Sequence, residues 1–249
     1  MSRSPILKAL SSIRKSGARM LLMGGQACVF YGAAEFSRDL DLLILADAEN
    51  LIRLLAALDD LKAELIAVPP FEARHLLRGH AVHFRCRRDD VAGLRIDMMS
   101  ALRGVADFQE LWARRTTIEV EGELIDLLAV EDLVRAKKTQ SDKDWPMIRR
   151  LIEQNYFASE EQGTPGRVEF WLRELRTPEL LVSVATTHSA TANKFASQRA
   201  AVQAAITGDL DAVARELANE EHQERLLDRE YWDPLKRELE KLRRIRRLQ

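Results

Sequence analysis

The chain has 249 residues, 46% of them hydrophobic and 31% charged, with a formal net charge of −1. That is an ordinary globular balance, enough chain for one large domain or two modest ones. Near-neutrality excludes the global field of a dedicated nucleic-acid binder, and no apolar run reaches the ~20 residues of a transmembrane helix.

Taken in order, Pro5–Lys15 places Ile6, Leu10 and Ile13 on one face and stops before Gly17, which predicts a helix. Leu21–Met23 reads as a first strand, Gly24-Gly25 as a turn and Gln26–Tyr31 as a short buried helix ending near Gly32. A loop, Ala33–Arg38, leads into a strand at Leu40–Leu45. Asp47 caps a helix over Ala48–Leu61, with Leu51, Leu54, Leu55 and Leu58 on its apolar face. Leu65–Val68 reads as a strand up to the Pro69-Pro70 break, and Phe71–Leu77 as a short helix. His80–Arg87 and Leu94–Met98 alternate as a hairpin around the turn at Asp89–Gly93. Val105–Trp112 reads as helix, and Thr116–Val120 with Leu124–Leu128 as two more strands.

From Val130 the pattern is helical: Glu131–Thr139, Asp144–Gln154, Pro178–Thr186, Ala190–Ile206, Leu210–Asn219 and a basic tail, Leu235–Leu248. The breaker cluster Gly163-Thr164-Pro165-Gly166 suggests a boundary, with residues 1–160 as one domain and 161–249 as a helical region. The expected fold class is α/β (α+β), a mixed β-sheet flanked by helices, with an all-helical C-terminal part. Cys28 and Cys86 fit neither a metal spacing nor a disulfide framework, and the N-terminus has no signal-peptide core. The expected location is the cytoplasm, with no membrane partner.

The chemistry-bearing stretch is Gly24-Gly25 followed by Asp39-Leu40-Asp41-Leu42. Residues two apart on a strand share a face, so both carboxylates point one way. Adjacent acids repel each other, and a divalent cation with hard oxygen ligands is the usual reason for keeping them together. A glycine turn opening a helix offers bare N–H groups to phosphate. A third acid, Asp97, lies between Ile96 and Met98 on a later strand, and Lys137, Lys138 and Lys143 follow in a helical segment.

Together these residues resemble the DNA polymerase beta-like nucleotidyltransferase superfamily, whose signature is Gly-Gly or Gly-Ser, a short helix, and Asp-x-Asp or Asp-x-Glu. The nearer resemblance is to small bacterial stand-alone nucleotidyltransferases, including the type IV abortive-infection toxins. Those carry a lysine and then a Lys-Asp pair opening a helix, here Lys137 and Lys143-Asp144. It spans roughly residues 18 to 155. One departure is Ser141 and its neighbours, where relatives often carry an arginine before the Lys-Asp pair.

The resemblance implies transfer of a nucleoside monophosphate from a nucleoside triphosphate to an acceptor hydroxyl, with two Mg²⁺ ions. Asp39 and Asp41 would bridge both ions, and Asp97 would bind the one at the attacking hydroxyl. Gly24, Gly25, Gln26, Arg38, Lys137, Lys138 and Lys143 would hold the triphosphate, with Asp144 orienting a lysine. The acceptor it points to is RNA, including the 3′ end of tRNA, and a cognate antitoxin or other protein partner would accompany a toxin. Proteins and aminoglycoside-type small molecules are the alternative acceptors. The rivals are a degenerate fold that binds a nucleotide or a protein without transfer, and a helical adaptor with an incidental acid pair. His75, His80 and His83 match no strong zinc spacing, and His83 reads as structural. The four tryptophans read as packing residues. The basic tail reads either as a phosphate-binding patch or as a solvated helix, since Glu238 and Glu240 interleave.

Overall fold

The computed structural model describes residues 4–159 and 163–247. Their contacts divide into two units. Met1–Phe30, Ala34–Ala136 and Tyr231–Gln249 form the first, Tyr31–Ala33 and Lys137–Glu230 the second. The boundary expected at 160/161 lies outside the described residues.

The first unit is built on a mixed seven-stranded sheet. Its strands are β1 (Met20–Met23), β2 (Asp39–Ile44), β3 (Glu64–Leu65), β4 (Val82–Arg85), β5 (Arg95–Met99), β6 (Thr116–Val120) and β7 (Glu123–Leu127). The order across the sheet is β3-β4-β5-β2-β1-β7-β6, so β2 is central. It pairs antiparallel with β1 and parallel with β5. The helices of this unit are α1 (Pro5–Lys15), α2 (Gly24–Phe30), α3 (Ala48–Asp60), α4 (Ala73–Arg78), α5 (Phe108–Ala113) and α6 (Val130–Ala136). The mixed sheet, its flanking helices and the helical C-terminal region are the architecture the sequence patterns predict.

Local chemistry fixes the elements around β2. Ser4 caps α1 by accepting from the Leu7 N–H at 3.3 Å, Pro5 fills the first helical position, and Leu7, Ala9, Leu10 and Ile13 are buried. Asp47 caps α3 by accepting from the Asn50 N–H at 2.7 Å. Asn50 itself is buried. Its Nδ2 donates to the carbonyls of Arg19 at 3.0 Å and Leu45 at 2.8 Å, and its Oδ1 accepts from the Arg19 N–H at 2.6 Å. One side chain thus ties the end of β2 to the start of β1 through three bonds to main chain. The strand expected over Leu65–Val68 is only Glu64–Leu65, with one further bond from the Ile66 N–H to His83 O. Pro69 and Pro70 have no N–H with which to extend the ladder.

The second unit is helical: α7 (Asp144–Phe157), α8 (Pro165–Glu174), α9 (Pro178–Thr187), α10 (Ser189–Phe195), α11 (Ala200–Ile206) and the part of α12 (Leu210–Arg247) up to Glu230. Trp145, Ile148, Leu151, Ile152, Phe170, Trp171, Leu181 and Val184 are buried in it.

Two helical expectations are corrected. Ala190–Ile206 is broken into α10 and α11 at Ala196–Arg199, with no glycine or proline to mark the break. There the buried Arg199 guanidinium donates to Leu172 O at 2.6 Å and Leu175 O at 2.9 Å, and pairs with Glu220. Those tertiary bonds override local propensity. Conversely, the segments expected at Leu210–Asn219 and Leu235–Leu248 belong, as far as Arg247, to one helix that runs through Pro234, and Leu248 lies outside the described residues. A proline in a helix forfeits one main-chain bond, and buried Leu235 follows it directly.

Candidate functional site

The site is built on β2 and its two neighbours. In β2 the side chains of Leu40 and Leu42 are buried, while Asp39 and Asp41 stand on the half-exposed face. The parallel register with β5 sets Asp41 directly opposite Asp97 and Asp39 opposite Arg95. The antiparallel register of β4 with β5 then sets His83 opposite Asp97. Three acids, an arginine and a histidine therefore share one face of three adjoining strands.

The Gly24-Gly25 turn closes this face at the β1 end. Gly24 has φ +67°, a conformation that side chains rarely adopt, and a Cβ there would overlap the Asp41 carboxylate. A Cβ on Gly25 would lie 2.8 Å from Ser37 Oγ. The Gly25 N–H donates to Asp41 Oδ2 at 3.3 Å. The glycine pair and the acid strand are thus packed against each other at van der Waals limits.

Asp97 is the most engaged of the acids. Its Oδ1 accepts from Arg95 Nε at 2.7 Å and lies 2.8 Å from His83 Nδ1, and Arg95 Nη2 is 3.1 Å from the same histidine nitrogen. Burial opposes its ionisation, but the hydrogen bonds from His83 and Arg95 outweigh that and hold the carboxyl below its ordinary value. The Arg95 guanidinium is in turn pushed up, first by its bond to Asp97, with the charges of Asp39 and Asp41 adding to the effect. Sequence reasoning missed both partners. The signal was present in the period-two alternation, which puts His83 in phase with the acids once β4 pairs with β5.

Arg38, immediately before the acid strand, is exposed, and its guanidinium lies 5.8 Å from the ring centroid of Phe36. It makes no ion pair among the described residues. Gln26, Phe36, Ser37 and Arg38 line one cleft of about 530 Å³, which brings Gln26 and Arg38 together.

Lys137, Lys138 and Lys143 belong to the helical unit. Lys137 Nζ donates to Asp144 Oδ1 at 2.8 Å, and Thr139 Oγ1 donates to Asp144 Oδ2 at 2.6 Å. Lys138 pairs at 2.8 Å with Glu174, a buried acid. Lys143 is exposed just before α7. Arg225 of α12 reaches the loop containing Ser141, donating to Gln140 O at 3.0 Å and Asp142 Oδ1 at 2.6 Å. A guanidinium thus serves this loop from a distant part of the chain.

The acid face offers hard oxygen donors, which suit Mg²⁺ or Ca²⁺, and the missing Cβ of Gly24 leaves the Asp41 carboxylate room. Asp97 is held in the ionised form that a ligand requires. Arg95 is the competing feature. As the side chains stand, no three His, Cys, Asp or Glu residues among the described ones form a ready metal cluster.

No family model matches this sequence, and no curated protein matches it. Among solved structures, an antigenic nucleotidyltransferase-like protein from Paracoccidioides brasiliensis is 16% identical, with a TM-score of 0.35 over 68% of this chain and 91% of that one. A candidate nucleotidyltransferase from H. pylori is also 16% identical, with a TM-score of 0.39 over 90% of this chain and 94% of that one. No helix among the described residues is long and apolar enough to cross a membrane.

Proposed function

We propose that this protein is a nucleotidyltransferase that moves a nucleoside monophosphate from a nucleoside triphosphate to an acceptor hydroxyl. The observation that carries the reading is the β2–β5 register, with Asp41 opposite Asp97, Asp39 on the same face, and the glycine turn closing on Asp41. Asp39, Asp41 and Asp97 are the residues that would hold Mg²⁺. Bound there, the metal supplies charge neutralisation at phosphate oxygens and lowers the pKa of the attacking hydroxyl.

The chain's own groups do the rest. Asp97 bonds His83 and Arg95 through Oδ1, so Oδ2 is its oxygen for a proton or a ligand. Arg38, with no ion pair among the described residues, stands next to Asp39 in sequence and offers positive charge to the triphosphate; it lines a cleft of about 530 Å³ with Gln26, beside the acid face and not lined by the acids themselves. In their own unit Lys137 and Lys138 are already neutralised by Asp144 and Glu174, so we assign the phosphate role to Arg38 before either lysine. We take an RNA hydroxyl as the acceptor.

The Arg95–Asp97 pair favours a second reading, in which the face binds a nucleotide without transferring it. Label transfer separates the two. Each of the four α-³²P nucleoside triphosphates is incubated with Mg²⁺ and with total RNA, a cell lysate or no acceptor, alongside Asp41→Asn. Label reaching RNA with the wild type and not the variant supports transfer. Mg²⁺-dependent nucleotide binding without transfer supports the second reading. No binding at all would overturn both.

A further inference from the structure

The C-terminal segment of α12 carries Lys236, Arg237, Lys241, Arg243, Arg244, Arg246 and Arg247, every one of them exposed and none in an ion pair among the described residues. The inward side of this segment is fixed by contacts within the first unit. Leu235 is buried, the Tyr231 hydroxyl lies against Gly79, and Glu238 is bonded by Arg78 Nη2 at 2.7 Å and by the buried His80 Nε2 at 2.8 Å. Glu238 is therefore turned in and neutralised, and does not dilute the outer face.

With 3.6 residues per turn, Tyr231, Leu235, Glu238 and Leu242 mark one side of the helix. Lys236, Arg237, Lys241, Arg243, Arg244 and Arg247 then fall within an arc of about 160° centred opposite to it. Two exposed acids, Asp233 and Glu240, also fall in that arc. In a chain of net charge −1, six cations are thus gathered on one side of three helical turns. Two of the i+4 positions, Lys241 after Arg237 and Arg247 after Arg243, are themselves basic, against one acid, Glu240 after Lys236.

We propose that this face is a docking surface for the phosphate backbone of a double-stranded nucleic acid. Its chemistry chooses among polyanions. A membrane-surface helix needs an apolar stripe beside its cations, and here Leu235 is buried in the protein's own core, which leaves Ile245 as the single large apolar side chain fully exposed between Leu235 and Arg247. Single-strand binders stack bases on aromatic side chains, and the arc contains none. Cations spread over so wide an arc are best met by phosphates on two sides, as the walls of a duplex groove provide. With no base-reading side chain in the arc, binding is independent of sequence. The inference concerns the tail helix and does not rest on the transfer reading.

The test is fluorescence anisotropy with duplex RNA, duplex DNA, a single-stranded oligonucleotide and phosphatidylserine-rich vesicles, over a series of salt concentrations. The full chain is compared with Lys241→Gln/Arg244→Gln/Arg247→Gln. A matched control, Arg150→Gln/Lys194→Gln/Arg215→Gln, removes the same charge from exposed positions elsewhere that make no ion pair among the described residues. Circular dichroism checks that both triples fold. The tail triple should weaken duplex binding at least tenfold and flatten the logarithmic salt slope by roughly 2 to 3, about 0.9 per lost phosphate contact. The control should leave both nearly unchanged. Equal losses in the two triples, preference for the single strand or the vesicles, or no duplex binding would overturn the proposal.

Discussion

Gly24 and Asp41 occupy each other's space: the glycine has no side chain because the carboxylate of Asp41 stands where a Cβ would be. Two halves of a sequence motif that read as separate signals, a turn and an acid strand, are one packing contact. Replacing Gly24 with alanine combines this overlap with a φ of +67°. We expect Gly24→Ala to lower the free energy of unfolding by about 2–4 kcal/mol, measured by urea denaturation. Gly93 is the control. Its φ is +82° but nothing lies within 4 Å of its Cβ position, so Gly93→Ala should lose only about 1 kcal/mol. Equal losses at the two sites would show that the contact with Asp41 contributes nothing.

Asp97 gives a pH dependence with a definite sign. Its folded pKa lies below the ordinary value of 3.8, because the bonds from His83 and Arg95 outweigh burial. Its contribution to stability is therefore complete above that ordinary value and is lost as pH falls through the lower, folded pKa. In unfolding experiments with EDTA present, the gap between wild type and Asp97→Asn should be flat above about pH 5 and close below about pH 4. A gap that widens toward acid pH would mean the opposite shift.

Arg95 sits beside the carboxylates as an internal cation. Removing its charge with Arg95→Gln should tighten divalent binding, read by Mn²⁺ paramagnetic resonance without nucleotide. The expected gain is about 1 kcal/mol, roughly fivefold, since the side chain is partly exposed and its field is screened. Unchanged or weaker binding would show that the guanidinium supports the site instead of competing for it.

The Lys138–Glu174 pair separates a structural from a ligand-binding lysine. Glu174 is buried, so Lys138→Met strands a charge and should cost about 3 kcal/mol in stability. If the variant keeps full stability and loses nucleotide affinity instead, the lysine serves phosphate.

Much of the fold was legible because β4, β5, β6 and the first half of β2 alternate and because α1 and α3 carry their caps. Ser4 and Asp47 bond the N–H groups their positions predict. The acids Asp39, Asp41 and Asp97 were legible by the same alternation, since residues in phase on paired strands must share a face. What the sequence withheld was long-range. No spacing rule links His83 or Arg95 to the acids before strand order is known. No local signal breaks a helix at Arg199, whose partners are Leu172, Leu175 and Glu220. No local signal joins Leu210–Asn219 to Leu235–Leu248, yet one helix runs through Pro234.

The parallel pairing of β2 with β5 also governs when the site comes into being. Asp41 and Asp97 meet only after more than fifty intervening residues have closed a loop, and β1 meets β7 across about twice that length. Loop closure of that size is slow and must precede the contacts that reward it. During synthesis the acid pair leaves the ribosome well before its third member, so the nascent chain carries a repelling dyad with no counter-cation from Arg95. The acid face is thus a late product of folding, and slip of β5 by one residue would turn Asp97 inward and Ile96 to solvent.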